Sequence, residues 1–166
     1  MNKIKILAVD KDKDILQMTW SNFYKYNLST ETNSFKVIEI LKKEQFDIYI
    51  IDYQMPSIDG IELFEEIKEI NGKKPFVGIL SIIPETAYIF KEELLSGLFD
   101  FFLEKPYGKS TLKEILNKAI VLLKRKKEKH GNDLNEITQP TFPVYYFSLS
   151  SLINTRVGNA IKSFFS

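Results

Sequence analysis

The sequence contains no cysteine and a single histidine, His130. Without cysteine the chain forms neither disulfides nor thiolate zinc sites, and one imidazole cannot build a histidine metal cluster. A protein metal site must therefore use oxygen ligands. No stretch approaches the roughly 18 apolar residues of a membrane span, and Met1 leads straight into a short strand pattern. We therefore expect a cytoplasmic protein that does not contact a membrane.

The sequence also lacks an excess of either charge, since it contains 23 Lys and Arg and 22 Asp and Glu. Whole-chain charge therefore gives no reason to expect nucleic acid as a partner. The length of 166 residues suits one domain with a sizeable core plus an appendage, and is too short for two ordinary domains.

Short apolar runs alternate with helix-like amphipathic segments from residue 3 to residue 124. Ser34 and the capping box Thr111–Glu114 are predicted to begin the second and fifth helices. This alternation predicts a flavodoxin-like (βα)5 fold, a three-layer α/β sandwich whose parallel sheet has the strand order 2-1-3-4-5. The predicted strands are residues 4–9, 28–32, 46–52, 76–80 and 99–103.

Four polar residues follow or end strands of this predicted sheet: Asp10, Asp52, Ser81 and Lys105. The carboxyl ends of parallel strands meet at one edge, where ligands bind in open α/β sheets. Two carboxylates brought together there repel each other unless a cation lies between them. The pair Asp10 and Asp52 therefore suggests a magnesium site.

The spacing of Asp52, Met55-Pro56 and Asp59-Gly60 resembles the phosphoacceptor segment of response-regulator receiver domains, and the resemblance covers about residues 3 to 124. It implies that Asp52 accepts a phosphoryl group, which Ser81 and Lys105 then bind. It also implies a Mg²⁺ site formed by Asp10, Asp52 and the backbone carbonyl of Gln54. The switch residues of such a domain correspond to Ser81 and Phe102.

Two residues depart from the pattern of the family. Lys11 stands where receiver domains usually have a second acidic residue that binds the metal directly, and Ile82 stands where they usually have a small residue. The Lys11 ammonium either points into the site and neutralises Asp52, or turns away and leaves a weaker metal site on Asp10. Mg²⁺ binding is accordingly expected to be weakened, or absent if Lys11 occupies the site.

The resemblance leads to two hypotheses in two-component signalling. In the first, Asp52 takes a phosphoryl group from a histidine kinase or phosphotransfer protein, and the domain signals through the face made by its fourth helix, fifth strand and fifth helix. In the second, the chain is a non-phosphorylated pseudo-receiver that acts as an interaction or dimerisation module. Beyond phosphoacceptance, the only activity implied is self-dephosphorylation. A flavin-binding electron carrier is disfavoured, because the acidic segment Asp10–Asp14 would repel a phosphate.

The remainder of the chain differs in composition from the predicted domain. We divide the chain into a receiver domain at residues 1–124, a charged, proline-containing linker at 125–143 and an amphipathic segment at 144–166. About 40 residues cannot bury a core of their own. We therefore expect this helical extension to dock on the receiver, pair with a second copy or receive a partner protein.

Overall fold

A computed structural model describes residues 3–132 except residue 22. Strands and helices alternate along this part of the chain, with a 3₁₀ segment at Pro84–Phe90 before the fourth helix. The strands are β1 (Lys5–Val9), β2 (Asn27–Glu31), β3 (Ile48–Asp52), β4 (Val77–Ile82) and β5 (Phe101–Glu104). The helices are α1 (Lys13–Trp20), α2 (Ser34–Leu41), α3 (Gly60–Asn71), α4 (Lys91–Leu95) and α5 (Lys109–Asn132).

The five strands form one parallel sheet in the order β2-β1-β3-β4-β5, which confirms the predicted topology. β3 lies at the centre and all five of its residues are buried, as expected for a strand covered on both faces. Its register places Asp52 opposite Ser81 of β4. The pairing with β4 therefore extends to Asp52, whereas the pairing with β1 ends one residue earlier, at Ile51.

Side chains alternate between two core layers, one on each face of the sheet. Tyr49 and Ile51 of β3 pack in one layer together with residues of α2, α3 and α4. Ile48 and Ile50 pack in the other layer against α1 and α5. This period of two, with helices on both faces, is what makes the fold a three-layer sandwich.

Two predicted helix caps were wrong, although α2 does begin at Ser34. Asn33 caps α2, because its side chain accepts hydrogen bonds from the N–H groups of Phe35 and Lys36. Ser34 is buried instead, with 1% exposure, and contributes to the site described below. α5 begins at Lys109, so Thr111 lies within its first turn and does not cap it.

α5 continues through residues 125–132, beyond the position where the sequence suggested that the domain ends. The rest of the predicted linker and the amphipathic segment at 144–166 lie outside the described residues. Within residues 3–132, no helix is long and apolar enough to cross a membrane.

Candidate functional site

Three buried polar side chains meet at the carboxyl edge of the central strands. Asp10 directly follows β1, Asp52 ends β3 and Ser81 lies beside Asp52 in β4. Their exposed fractions are only 2%, 2% and 1%. The fourth predicted residue, Lys105, follows β5, and its backbone N–H donates to the carbonyl of Ile82 at 2.8 Å. The structure thus brings together all four residues that the sequence placed at this edge.

Lys105 is the cation that the two carboxylates share. Its Nζ lies 2.8 Å from Asp10 Oδ2 and 2.9 Å from Asp52 Oδ1. Burial by itself would lower the pKa of Lys105, but the hydrogen bonds and charges of Asp10 and Asp52 outweigh it and raise that pKa above its ordinary value. Lys105 is therefore positively charged at neutral pH, and it holds together two acids that would otherwise repel each other.

One carboxylate oxygen of the site, Asp52 Oδ2, is buried and has no hydrogen-bond partner among the described residues, whereas the buried Ser81 Oγ interacts with the Tyr107 phenol. Asp10 differs, because its Oδ1 accepts a hydrogen bond from the N–H of Asp12 at 2.9 Å and its Oδ2 pairs with Lys105 at 2.8 Å. Unsatisfied buried oxygens are uncommon in proteins, and their presence calls for a functional reason. Asp52 Oδ2 is therefore available to a ligand at this edge.

The donor set fits a hard cation such as Mg²⁺. Asp10 and Asp52 supply carboxylate oxygens, and no hydrogen bond within the described part of the chain engages the backbone carbonyl of Gln54. Mg²⁺ uses one or two carboxylates and completes its octahedron with water and phosphate oxygens. Residues 3–132 contain no group of three His, Cys, Asp or Glu side chains that could hold a metal. Any ion here would therefore keep several non-protein ligands.

The loop after Asp52 is held in place by residues of the Met-Pro and Asp-Gly pattern. The carbonyl of Pro56 accepts a hydrogen bond from the buried Ser34 hydroxyl at 3.0 Å. Asp59 caps α3 and forms a capping box with Glu62. At Gly60 a Cβ would lie 2.7 Å from the carbonyl oxygen of Asp52, so only glycine allows this approach. Most residues of the motif thus position Asp52, and only the Asp52 carboxylate is placed to react.

The two atypical residues occupy different surroundings. Lys11 is exposed, and its Nζ donates to the Gln54 side-chain Oε1 at 3.3 Å. Its ammonium therefore lies at the rim, while Lys105 provides the charge next to Asp52. Ile82 is 1% exposed and packs in the core layer of α2, α3 and α4. Phe102 is equally buried in that layer, with its ring centroid 5.1 Å from that of Phe99.

Ser34 and Tyr107 are site residues that no pattern in the sequence marked as such. The Tyr107 phenol lies close enough to the carboxylates that burial first, and then the negative charge of Asp10, raises its pKa above the usual value. Its place two residues after Lys105 was the only signal in the sequence. Ser34 had a competing interpretation as a helix cap, which hid its contact with a loop 22 residues away.

Comparisons with known proteins agree with this geometry. The response regulator SaeR of Staphylococcus epidermidis is 25% identical over 134 residues, covering 80% of this chain and 56% of SaeR. The nisin biosynthesis regulatory protein NisR of Lactococcus lactis is 28% identical over 151 residues, covering 86% of this chain and 61% of NisR. The chain thus spans only about half the length of the relatives it matches.

The fold has solved counterparts as well. The chemotaxis response regulator CheY4 of Vibrio cholerae superposes with a TM-score of 0.63 at 25% identity, covering 71% of this chain and 99% of CheY4. Residues 6–117 match the family described as the response regulator receiver domain. That match includes all four residues at the carboxyl edge of the sheet. The chain belongs to the response regulator receiver domain family of two-component signalling.

Proposed function

We propose that Asp52 accepts a phosphoryl group from a phosphohistidine of a histidine kinase or phosphotransfer protein. The observation that carries this proposal is the state of the Asp52 carboxylate: Oδ1 is held by Lys105 at 2.9 Å, while Oδ2 is buried without a partner. One oxygen is thus fixed and the other is available as a nucleophile. In the transfer, Asp52 Oδ2 bonds to phosphorus, the P–N bond to the donor imidazole breaks and that nitrogen takes up a proton.

Electrostatics decides whether this transfer proceeds. Asp10, Asp52 and Lys105 together carry a net charge of −1, and the incoming phosphoryl group adds further negative charge. Mg²⁺ bound by Asp10, Asp52 and the Gln54 carbonyl would neutralise the phosphoryl oxygens when present. Lys105 contributes a fixed positive charge that is positioned before the donor arrives.

We further propose that phosphorylation is sensed through Ser81 and transmitted to the segment before α4. The buried Ser81 lies beside Asp52 in the sheet and interacts with the Tyr107 phenol, and its hydroxyl would donate a hydrogen bond to a phosphoryl oxygen on Asp52. Tyr53, next to Asp52, packs its ring 4.4 Å from that of Phe90, which ends the 3₁₀ segment. A change at Asp52 therefore has a direct packing route to α4, beside the face formed with β5 and α5 where an output partner is expected. Phe102 remains the proposed switch aromatic.

Phosphorylation is tested by incubating the full chain with Mg²⁺ and a small phosphodonor such as phosphoramidate and measuring the intact mass. We expect the wild type and Asp59→Asn to gain one phosphoryl group and Asp52→Asn to gain none. Asp59→Asn is the matched control, because it removes the same charge and asparagine still caps a helix. Absence of the added mass in wild type, with its appearance in Lys11→Asp, would contradict the proposal and indicate a pseudo-receiver.

A further inference from the structure

The charged residues of this nearly neutral chain are segregated between the two edges of the sheet. The segments at the amino edge contain twelve Lys and Arg but only four Asp and Glu, so more than half of the 23 basic residues lie there. These segments precede the five strands or form the end of α5, and they are residues 3–5, 21–26, 42–47, 72–76, 96–100 and 124–132. The amino edge is thus a strongly basic surface.

Contacts show that the end of α5 belongs to this edge. Lys126 Nζ donates to the carbonyl of Phe76 at 2.9 Å and forms an ion pair with Asp100, the residues just before β4 and β5. Lys127 forms an ion pair with Asp47, just before β3, at 2.6 Å. The basic end of the helix is therefore held beside the loops that enter the sheet.

Because of these ion pairs, few acidic side chains at the amino edge remain to offset its basic residues. Lys5 pairs with Glu44 at 2.7 Å, so three of the four acidic residues there are already engaged. The basic side chains at positions 3, 25, 42, 43, 73, 74, 124, 125 and 129 are all exposed. At the carboxyl edge the balance is reversed, because residues 10–12, 31–33, 52–59, 83–90 and 104–108 contain seven acids and two lysines.

We propose that the amino edge is a docking surface for an anionic lipid bilayer. Lysine dominates, with Arg125 as the single guanidinium group of the edge. Arginine is the residue that recognises nucleic-acid phosphates in bidentate fashion, whereas lysine clusters bind anionic headgroups as point charges. Tyr24 projects from the same edge with 85% of its surface exposed, and tyrosine suits the interface between headgroups and acyl chains.

The sequence after α5 offers a second membrane signal. Residues 144–166 contain apolar and aromatic residues that recur at helical spacing. Stable membrane attachment generally needs two signals, such as a basic patch together with an apolar segment.

The proposal is tested by sedimentation of the full chain with phosphatidylcholine vesicles that contain or lack phosphatidylserine. The test variant replaces Lys42, Lys43, Lys73 and Lys74 with glutamine, all of which are exposed amino-edge residues. The matched control variant replaces four exposed lysines elsewhere with glutamine, at positions 13, 36, 109 and 113. Both variants lose the same charge, and thermal unfolding checks that both remain folded.

We expect binding that requires phosphatidylserine and weakens with salt. In the amino-edge variant it should fall on the order of 600-fold, at about fivefold for each of the four lysines. The control variant should bind as the wild type does. Failure to bind phosphatidylserine vesicles would overturn the proposal, as would an equal loss in both variants. Tighter binding to duplex DNA than to vesicles at the same salt would also overturn it and assign the edge to nucleic acid.

Discussion

Lys11 donates a hydrogen bond to the side-chain oxygen of Gln54 at 3.3 Å, and so bridges the loops that follow β1 and β3 at the rim of the site. It forms no ion pair with Asp52, whose cationic partner is Lys105. Of the two alternatives for Lys11, the structure thus shows the ammonium outside the acidic pair. The carboxylates remain available to a metal, but a second acid is missing from the position that Lys11 occupies.

Replacing Lys11 with aspartate should therefore strengthen Mg²⁺ binding. The substitution removes a positive charge from the rim and adds a carboxylate next to Asp10, so we expect the dissociation constant to fall on the order of tenfold or more. Titration calorimetry, or Trp20 fluorescence on addition of Mg²⁺, measures the change.

Lys13→Asp is the matched control for this prediction. Lys13 is exposed at the start of α1 and undergoes the same change in charge. If both variants bind Mg²⁺ equally well, the gain comes from general electrostatics and not from a ligand at position 11.

Removing the Lys105 side-chain charge should destabilise the fold. In Lys105→Met the carboxylates of Asp10 and Asp52 stay buried without their shared cation, at a cost of about 3–5 kcal/mol in the free energy of unfolding. Mg²⁺ should restore part of that loss, because it would replace the missing charge. Urea unfolding with and without Mg²⁺ tests both statements.

Lys118→Met provides the comparison for Lys105→Met. Lys118 pairs with Glu114 on the exposed surface of α5, where an ion pair contributes at most about 1 kcal/mol. A similar loss in both variants, or no rescue of Lys105→Met by Mg²⁺, would argue against a cation-dependent acidic pair.

Gly60→Ala should distort the loop that carries Asp52. The new Cβ would lie 2.7 Å from the Asp52 carbonyl oxygen and 2.9 Å from Tyr53 Cα, which are backbone atoms in and next to a buried strand. We expect a loss of about 1–3 kcal/mol in the free energy of unfolding. Gly108→Ala meets nothing within 4 Å and should leave unfolding nearly unchanged, so equal effects would contradict this account.

Asp47 should make part of the free energy of unfolding depend on pH in the acidic range. Burial alone would raise the pKa of Asp47, but hydrogen bonds from Lys127 and the backbone of Lys5, together with nearby lysine charges, hold it below the ordinary 3.8. A lowered pKa in the folded state gives stability that is present above pH 3.8 and is lost as pH falls through the folded-state value.

Urea unfolding of wild type and Asp47→Asn across acidic pH measures this contribution. The wild type should be the more stable protein at pH 6, and the difference should shrink as the pH falls below about 4. A difference that stays constant over this range would show that Asp47 acts through its hydrogen bonds alone and not through its charge.

The sequence was sufficient to predict the fold and the four residues of the acidic site. Few topologies are compatible with alternating apolar runs and amphipathic segments. Residues at the carboxyl ends of parallel strands necessarily lie at the same edge of the sheet. Asp10, Asp52, Ser81 and Lys105 could therefore be placed together before any distance was known. Helix caps were less predictable, since Asn33 and Ser34 are both good caps and the hydrogen bond from Ser34 to the Pro56 carbonyl distinguishes them.

The tertiary structure decided two kinds of feature: the direction in which single side chains point, and which loops lie next to each other. The flexible stem of Lys11 could reach several positions, and the oxygen of Gln54 selects one of them. Tyr107 joins the site because the fold buries its phenol near Asp10, Asp52 and Ser81. The sequence by itself determined a balanced total of 23 basic and 22 acidic residues. The fold alone decided that the basic ones gather at the amino edge, because it brings together loops that are far apart along the chain.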